Sequence, residues 1–233
     1  MEREIILVDK PAGWTSFDVV AKLRGAIRAR YTAAGERPTK RQLRVGHAGT
    51  LDPFATGLLV ILCGEATKQS GEFLKLDKVY EAEFRLGQTS TTGDPEGEIS
   101  TVSEQVPGID DVRTTLTKFV GKITQTPPIY SAIKIGGQRA YKLAREGKTI
   151  DMPTREVDIY QLECLDYTYP ILKVRAHVGS GTYIRSLAED IGRTLGVGAY
   201  CQELRRISIG DILIANAVDV AVATRALALK AQA

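Results

Sequence analysis

The chain has 233 residues, of which 43% are hydrophobic and 25% are charged, and its net charge is +3. This composition excludes wholesale disorder and a membrane protein, and the length is sufficient for one sizeable core with or without a small insertion. The longest apolar stretch is too short to span a bilayer and the first residues lack the pattern of a signal peptide, so we expect a cytoplasmic location.

The N-terminal region is predicted to fold as a strand followed by an amphipathic helix. Ile5–Val8 has the composition of a short strand, and a Pro-Ala-Gly turn follows it. Thr15 and Asp18 then have the spacing of a capping box, which predicts a helix that begins after Thr15. Residues 31–40 are polar and rich in turn formers, so we expect a loop there.

Positive charge is concentrated in two segments. Lys22–Arg44 carries a net charge of +7, and Lys134–Arg155 carries +4. Such concentrations of positive charge are typical of segments that contact phosphates. For any single one of these residues, a position on a solvent-exposed helix face is the more common explanation. The cysteines, by contrast, are few and widely separated (Cys63, Cys164 and Cys201), so we expect them to be reduced and to form neither a disulfide framework nor a zinc site.

Residues 44–57 set one carboxylate, Asp52, among three glycines. The glycines permit close approach of a ligand to the backbone, and Pro53 fixes the turn after Asp52. The apolar run Leu58–Cys63 can anchor this segment to a core. Two interpretations are open on these residues alone: an active-site loop that presents Asp52, or a tight turn in which Asp52 caps a backbone N–H.

The middle of the chain shows two alternating segments and one helical pattern. Residues 79–86 and 173–178 alternate between apolar and polar side chains, which predicts half-buried strands, with Tyr80 pointing inward. Ile109–Val120 has helical spacing and is predicted to stop at Gly121.

The remaining segments complete a mixed α/β or α+β pattern. Residues 125–153 contain Pro and Gly pairs and a short amphipathic piece, which indicates a lobe that protrudes from the core. A helix is predicted after residue 181 with Thr182 as its N-cap, placing Tyr183 and Arg185 in the first turn. Ala217–Ala233 is alanine-rich with helical character.

Several of these segments resemble one known family. The block Gly46-His47-Ala48-Gly49-Thr50-Leu51-Asp52-Pro53-Phe54-Ala55-Thr56-Gly57 is similar to the motif around the catalytic aspartate of the TruB family of tRNA pseudouridine synthases. Other blocks follow in the family's order, and together they cover roughly residues 4 to 210: Asp9-Lys10-Pro11-Ala12-Gly13-Trp14-Thr15-Ser16, Lys78-Val79-Tyr80, Thr92-Gly93-Asp94-Pro95-Glu96-Gly97, Pro127-Pro128-Ile129-Tyr130-Ser131-Ala132 and Ser180-Gly181-Thr182-Tyr183-Ile184-Arg185.

The resemblance implies an α+β pseudouridine synthase fold, with a mixed, mainly antiparallel central sheet flanked by helices. It implies a catalytic domain over residues 1–212 that includes a thumb-like RNA-binding insertion at residues 125–153. Family members commonly continue into a PUA domain, whereas residues 213–233 would form only a short tail, so the chain looks truncated relative to that pattern. A smaller departure is Ser90-Thr91-Thr92, where the family often has Thr-Asp-Thr.

The resemblance also implies an activity: isomerisation of the T-loop uridine at tRNA position 55 to pseudouridine, with the target base flipped out of the RNA. Breaking the N-glycosidic bond and rejoining the base through carbon requires neither a cofactor nor a metal. The expected partner is the T arm of tRNA, with no guide RNA and no membrane, and the expected state is a monomer. Two alternatives stay open: a guide-RNA-dependent catalytic subunit, and a tRNA-binding folding factor without catalysis.

By the same resemblance, three residues are expected in the catalytic set. Asp52 would act as nucleophile or base, a choice that the sequence leaves open. Tyr80 matches the tyrosine that stacks on the target base, and Arg185 matches the arginine that pairs with the catalytic aspartate.

Six further residues are expected to bind the substrate. His47 matches a histidine near the splayed T-loop bases, and Tyr183 matches the tyrosine of the same motif as Arg185. Leu204 matches an apolar residue that lines the uracil pocket, and it is equally typical of plain core. The last three lie in matched blocks and would either contact RNA or order the loop: Lys10, Lys68 and Asp94.

Overall fold

The structure, a computed structural model, describes residues 4–131, 133–148 and 150–229, without the side chain of Arg145. Parts of several predicted segments lie outside this description: Ala132 of the Pro127–Ala132 block, Thr149 of the thumb-like segment, residues 230–233 of the tail, and residues 1–3.

Strands account for most of the regular structure. They are β1 (Glu4–Lys10), β2 (Val45–His47), β3 (Thr56–Cys63), β4 (Lys78–Leu86), β5 (Gln88–Ser90), β6 (Ile99–Thr101), β7 (Gly121–Gln125), β8 (Lys134–Ile135), β9 (Gln138–Arg139), β10 (Arg155–Thr168), β11 (Ile171–Val178), β12 (Ala199–Ile209), β13 (Ile212–Leu213) and β14 (Val218–Asp219).

The helices are α1 (Ser16–Ala33), α2 (Ser70–Lys75), α3 (Ile109–Thr117), α4 (Ala140–Arg145), α5 (Ile184–Thr194) and α6 (Val220–Leu229), with 3₁₀ turns at Gly64–Gln69 and Ile214–Asn216. Most strand pairs are antiparallel, and the parallel pairs are β1 with β14 and β3 with β12. This confirms the expected α+β class with a large, mainly antiparallel sheet. The chain divides into two compact units, one of residues 1–79 with 205–233 and one of residues 80–204.

The first unit is built around β3, which is buried at every residue after Thr56. β1 pairs with β3 over its full length, from Glu4 opposite Cys63 to Lys10 opposite Gly57, and β2 also pairs with β3. α1 packs against α6 and β2. Because β3 is covered on both faces, its sequence is a continuous apolar run rather than an alternating one.

The second unit is built around the long strand β10, which lies between β7 and β11. α3 packs against β10 and α5. Over residues 80–86 of β4, burial alternates with every second residue, as the sequence predicted, and Tyr80 lies on the buried side. β8 and β9 form a separate two-stranded sheet followed by α4, all within residues 125–153, so this segment has local structure of its own.

The start of α1 is confirmed, whereas its predicted end is wrong. Thr15 and Asp18 form the expected capping box, in which each side chain bonds to the backbone N–H of the other. The helix continues to Ala33, so the first residues of the predicted loop at 31–40 are helical. Tyr31 explains the difference, because it lies one turn beyond Ile27 and is only 7% exposed, which extends the buried face of the helix.

Other element boundaries shift by one to three residues. α3 ends at Thr117 rather than at residue 120, and α5 has Tyr183 rather than Thr182 as its N-cap. The Thr182 hydroxyl donates instead to the carbonyl of Gly179, 3.0 Å away, and so closes the turn before the helix. All three cysteines are free, and none of the helices in the described ranges is long and apolar enough to cross a membrane.

Two glycines of the first unit are expected to respond oppositely to substitution by alanine. Gly25→Ala, in the exposed interior of α1 with open space around its missing Cβ, should raise the free energy of unfolding by about 0.5–1 kcal/mol. Gly57→Ala should lower it by more than about 2 kcal/mol, because the residue has φ +102° and the new Cβ would lie 2.4 Å from the carbonyl oxygen of Arg206. Urea unfolding of both variants measures the two values, and equal values would contradict the close packing of Gly57 on β12.

Candidate active site

Asp52 lies in a loop that is anchored to the core by a buried residue on each side of it. Leu51 is 3% exposed and Ala55 is 0% exposed, while Asp52 itself is partly exposed. The carbonyl of Asp52 accepts a bond from the N–H of Ala55 at 3.1 Å, which closes a turn over Pro53. The loop therefore holds the carboxylate on a short, well-anchored segment between β2 and β3.

Residues from the N-terminal block hold this loop. The hydroxyl of Ser16, 2% exposed in the first turn of α1, accepts from the N–H of Leu51 at 2.8 Å and donates to its carbonyl at 3.0 Å. The N–H of Gly13 donates to the carbonyl of Pro53 at 2.8 Å. These bonds fix the backbone on both sides of Asp52. Sequence reasoning placed Ser16 in a matched block but assigned it no role.

Lys10 belongs to the same set of contacts. Its side chain is fully buried, and its ammonium group donates to the carbonyls of Trp14 at 2.6 Å, Pro11 at 2.9 Å and Pro53 at 3.3 Å. Of the two roles that the sequence left open, these contacts support ordering of the loop.

Arg206 of β12 reaches the loop from the other side, and sequence reasoning missed it. It is 1% exposed, and it donates to the carbonyls of Leu58 at 2.7 Å, Gly49 at 3.1 Å and Thr50 at 3.4 Å. A buried arginine in an alternating strand has no distinguishing pattern in a single sequence.

His47 and Lys68, the other candidate binding residues of the first unit, differ in environment. Burial of the His47 ring, with the nearby charge of Arg206, lowers the pKa of His47 below its usual value, so the imidazole is neutral at pH 7. Among the described residues, none bonds to its Nδ1 atom, which is buried. Lys68 is exposed and pairs with Glu65 at 2.5 Å, so its charge is accessible to a phosphate but partly neutralised.

In the second unit, the predicted base-stacking residue and the predicted pocket residue are both buried. Tyr80 is 9% exposed on β4, and Leu204 is 8% exposed on β12. The burial of Tyr80 agrees with its predicted inward orientation. The burial of Leu204 is equally typical of a residue of the hydrophobic core.

Arg185 is 3% exposed and is held by a network of bonds. One terminal nitrogen pairs with the Asp94 carboxylate at 2.9 Å and donates to the carbonyl of Thr92 at 2.9 Å, and the other donates to the carbonyl of Tyr130 at 2.9 Å. Asp94, 3% exposed, also accepts from the Thr92 hydroxyl at 2.6 Å and from the N–H of Glu96 at 3.0 Å. For Asp94, as for Lys10, these contacts support an ordering role.

Tyr183 is held at its backbone by Gln125, a residue that the sequence did not indicate. Gln125 is 0% exposed; its side chain donates to the Tyr183 carbonyl at 3.0 Å and accepts from the Tyr183 N–H at 2.8 Å. The guanidinium of Arg155 lies over the Tyr183 ring, 4.9 Å from its centroid, and also bonds to the carbonyl of Gly181. One turn on, the Ser186 hydroxyl donates to the carbonyl of Thr126 at 2.8 Å. The first residues of the thumb-like segment are thus bonded to the start of α5.

A cavity of about 570 Å³ lies within the second unit, between both ends of the thumb-like segment and α5. Glu189 and Asp190 of α5 line it, and burial together with the charge of Asp190 raises the pKa of Glu189. No cluster of residues suited to a metal ion occurs in the described ranges.

The candidate phosphate contacts of the first unit are exposed. Arg37, Lys40 and Arg41 lie between α1 and β2 with their side chains in solvent, and Arg41 pairs with Glu65 at 3.0 Å. In the second basic segment, the side chains of Lys134, Arg139, Lys142 and Lys148 are also exposed.

Two family models together match residues 37–231 of the chain. A family model described as TruB family pseudouridylate synthase (N terminal domain) matches residues 37–184, and one described as tRNA pseudouridylate synthase B C-terminal domain matches residues 185–231. The tRNA pseudouridine synthase B of Dechloromonas aromatica is 43% identical over 217 residues, which are 93% of this chain and 68% of that protein. The enzyme of the same name from Thermobifida fusca is 44% identical over 228 residues, 93% of this chain and 72% of that protein.

Two solved structures with a similar fold are complexes. The archaeal box H/ACA sRNP Nop10-Cbf5 complex contains a chain that is 27% identical with a TM-score of 0.67, covering 96% of this chain and 53% of that one. A Cbf5-Nop10-Gar1 complex contains one that is 30% identical with a TM-score of 0.66, covering 90% of this chain and 49% of that one. The chain thus spans about two thirds of the length of these curated relatives and about half of the solved chains.

The bonds from Gln125 to Tyr183 generate a prediction about the start of α5. Gln125→Leu keeps the size of the side chain but leaves the Tyr183 N–H without its partner, while the Tyr183 carbonyl still accepts from the N–H of Leu187 at 3.1 Å, so it should lower the free energy of unfolding by about 1–3 kcal/mol. Hydrogen exchange at residues 183–187 should accelerate. The exposed Gln161 of β10 provides the control, since Gln161→Leu should change stability by less than about 0.5 kcal/mol. Equal effects of the two substitutions would show that the Gln125 bonds do not hold the helix start.

Proposed function

The chain belongs to the TruB family of pseudouridylate synthases, and we propose that it converts the T-loop uridine at tRNA position 55 to pseudouridine, without a guide RNA. The observation that carries this proposal is the Asp52 loop. It contains the family's catalytic block, and bonds from Ser16, Gly13, Lys10 and Arg206 restrain its backbone on both sides of the carboxylate.

The reaction needs one carboxylate in a fixed orientation. The N-glycosidic bond breaks, the uracil rotates, and a carbon atom of the base bonds to the sugar, so no electrons are gained or lost overall. Asp52 acts as the nucleophile or as the base in this sequence of steps. Holding the loop rigid removes the need to order the carboxylate when the substrate binds.

The second unit provides the groups that an extruded base requires. We propose that Tyr80 stacks on the base, that Leu204 contacts the uracil, and that Tyr183 and Arg185 contribute to the same reaction. Extrusion of a base from RNA costs a few kcal/mol, which stacking and polar contacts must offset. Neutral His47, a partly exposed residue, is suited to stack on the bases near the target.

RNA binding is assigned to the two basic segments and to exposed residues near them. We propose that residues 1–212 form the catalytic domain and that residues 125–153 act as a thumb on the T arm, with Lys68 as a further phosphate contact. The enzyme would act as a monomer in the cytoplasm. The exposed cations of both segments support this assignment, because a neutral small substrate gives no reason for such a distribution.

One alternative has a specific observation in its favour. Two similar solved chains come from H/ACA complexes, which would suit a guide-dependent subunit. The higher identity to relatives named tRNA pseudouridine synthase B favours the tRNA enzyme. Incubation with a T-arm stem-loop in the absence of guide RNA, followed by mapping of pseudouridine, separates the two. Formation of pseudouridine in this assay would also exclude a folding factor that binds tRNA without catalysis.

Asp52→Asn is expected to abolish pseudouridine formation and to keep T-arm binding within about tenfold, since tenfold is only about 1.4 kcal/mol. Asp211→Asn, in the exposed turn between β12 and β13, is the matched control and should keep full activity. Single-turnover assays and binding titrations measure both quantities. Turnover by the Asp52 variant would exclude Asp52 as the catalyst.

Affinity for tRNA should fall steeply with salt, and charge reversal at Arg37, Lys40 and Arg41 together should flatten that dependence. Each neutralised phosphate contributes about −0.9 for duplex and −0.7 for single strands to the log-log slope, so three lost contacts reduce its magnitude by about two to three.

The control for this experiment is charge reversal at three exposed cations outside both basic segments, Arg113, Lys118 and Lys122. Binding titrations from low to moderate salt give the slopes. Equal slopes for the two triple variants would mean that the segment between α1 and β2 is only a solvated surface.

A further inference from the structure

Arg206 is the largest fully buried side chain of the described residues, and it lies where the Asp52 loop joins β3. β12 runs parallel to the start of β3, with Arg206 in register with Gly57. A Cβ on Gly57 would lie 2.4 Å from the carbonyl oxygen of Arg206 and 2.7 Å from its N atom, so the two backbones are as close as a glycine allows. The base of the loop is therefore packed directly on this arginine.

The guanidinium of Arg206 bonds to both ends of the loop at once. Its Nη atoms donate to the carbonyls of Gly49 and Thr50, which precede Asp52, and its Nε atom donates to the carbonyl of Leu58, which follows Asp52. Because the guanidinium is planar and its donors have fixed directions, these bonds set the distance between the two ends. A lysine ammonium cannot reproduce that fork of donors.

The charge of Arg206 also lacks a carboxylate partner among the described residues, since its bonds all end on carbonyl oxygens. The adjacent Arg205 is different: it is 41% exposed and pairs with Asp9 at 2.6 Å. Burial of a cation without a counter-charge is costly. Its field reaches the neighbouring groups, because the charge of Arg206 contributes, after burial, to the lowered pKa values of His47 and Lys78.

We propose that Arg206 is a positioning residue for Asp52, which fixes the loop at residues 49–58 through its carbonyls. This inference rests on the proposed function, because it assigns Arg206 a part in the reaction that Asp52 performs. Arg206 would contribute to the reaction without contacting the RNA.

The test compares Arg206→Lys and Arg206→Gln with Arg205→Lys as the matched control. Arg206→Lys should fold and bind the T arm within about threefold of the unsubstituted protein. Its single-turnover rate should fall by about 100-fold, the effect of a misplacement of about 1 Å. Hydrogen exchange at residues 48–58 of the free protein should accelerate by at least about tenfold, a change that does not depend on activity.

Arg206→Gln also lacks the planar fork of donors, so it should lose rate and accelerate exchange at least as much as Arg206→Lys. Arg205→Lys should leave the rate and the exchange unchanged.

Three results would overturn the proposal: unchanged rate and exchange in Arg206→Lys, the same losses in Arg205→Lys, or failure of both Arg206 variants to fold, which would make Arg206 a requirement of the fold. Failure of the proposed function is distinguishable, because the unsubstituted protein would then form no pseudouridine, while hydrogen exchange would still report whether Arg206 holds the loop.

Discussion

Bonds from buried side chains to backbone carbonyls fix the loop that carries Asp52, and the candidate chemistry depends on this restraint. Ser16 holds Leu51, Lys10 holds Pro53, and Arg206 holds Gly49 and Thr50. Each peptide group is planar, so fixing a carbonyl oxygen also fixes the N and Cα atoms of the residue that follows it. The backbone position of Asp52 is then set before any substrate arrives, which lowers the cost of ordering its side chain for a multistep rearrangement.

The cations of the first unit fall into two classes with different physical roles. Arg37 and Lys40 are exposed, cost little to solvate and can attract a polyanion over a Debye length. Lys10 and Arg206 are buried and each bonds to three carbonyls, so their charges are already committed to the backbone. The net charge of +3 therefore includes exposed cations that are available for phosphate contact and buried cations that restrain the backbone.

Sequence reasoning succeeded where the signal is local. The capping box at Thr15 and the alternation over β4 follow from spacing alone, and both are confirmed. The prediction failed for the end of α1, because burial of Tyr31 is a tertiary contact that overrides the polar composition around it. For the site, the block around Asp52 was recognisable, whereas Arg206 and Gln125 were not. Their partners lie 148 to 157 and 58 residues away along the chain, and no local pattern distinguishes either residue from ordinary strand positions.

The two deeply buried arginines show why the partner of a charge matters as much as its burial. Arg185 pairs with the Asp94 carboxylate, so the pair is close to neutral and its field falls off quickly with distance. Arg206 bonds only to carbonyl oxygens among the described residues, and their dipoles orient it without cancelling its charge. The neighbouring Lys78 shows the effect of this charge, because burial together with the charge of Arg206 lowers the pKa of Lys78 to about 8. The same side chain therefore fixes the position of the loop and acts as a buried positive charge on the groups around it, His47 and Lys78.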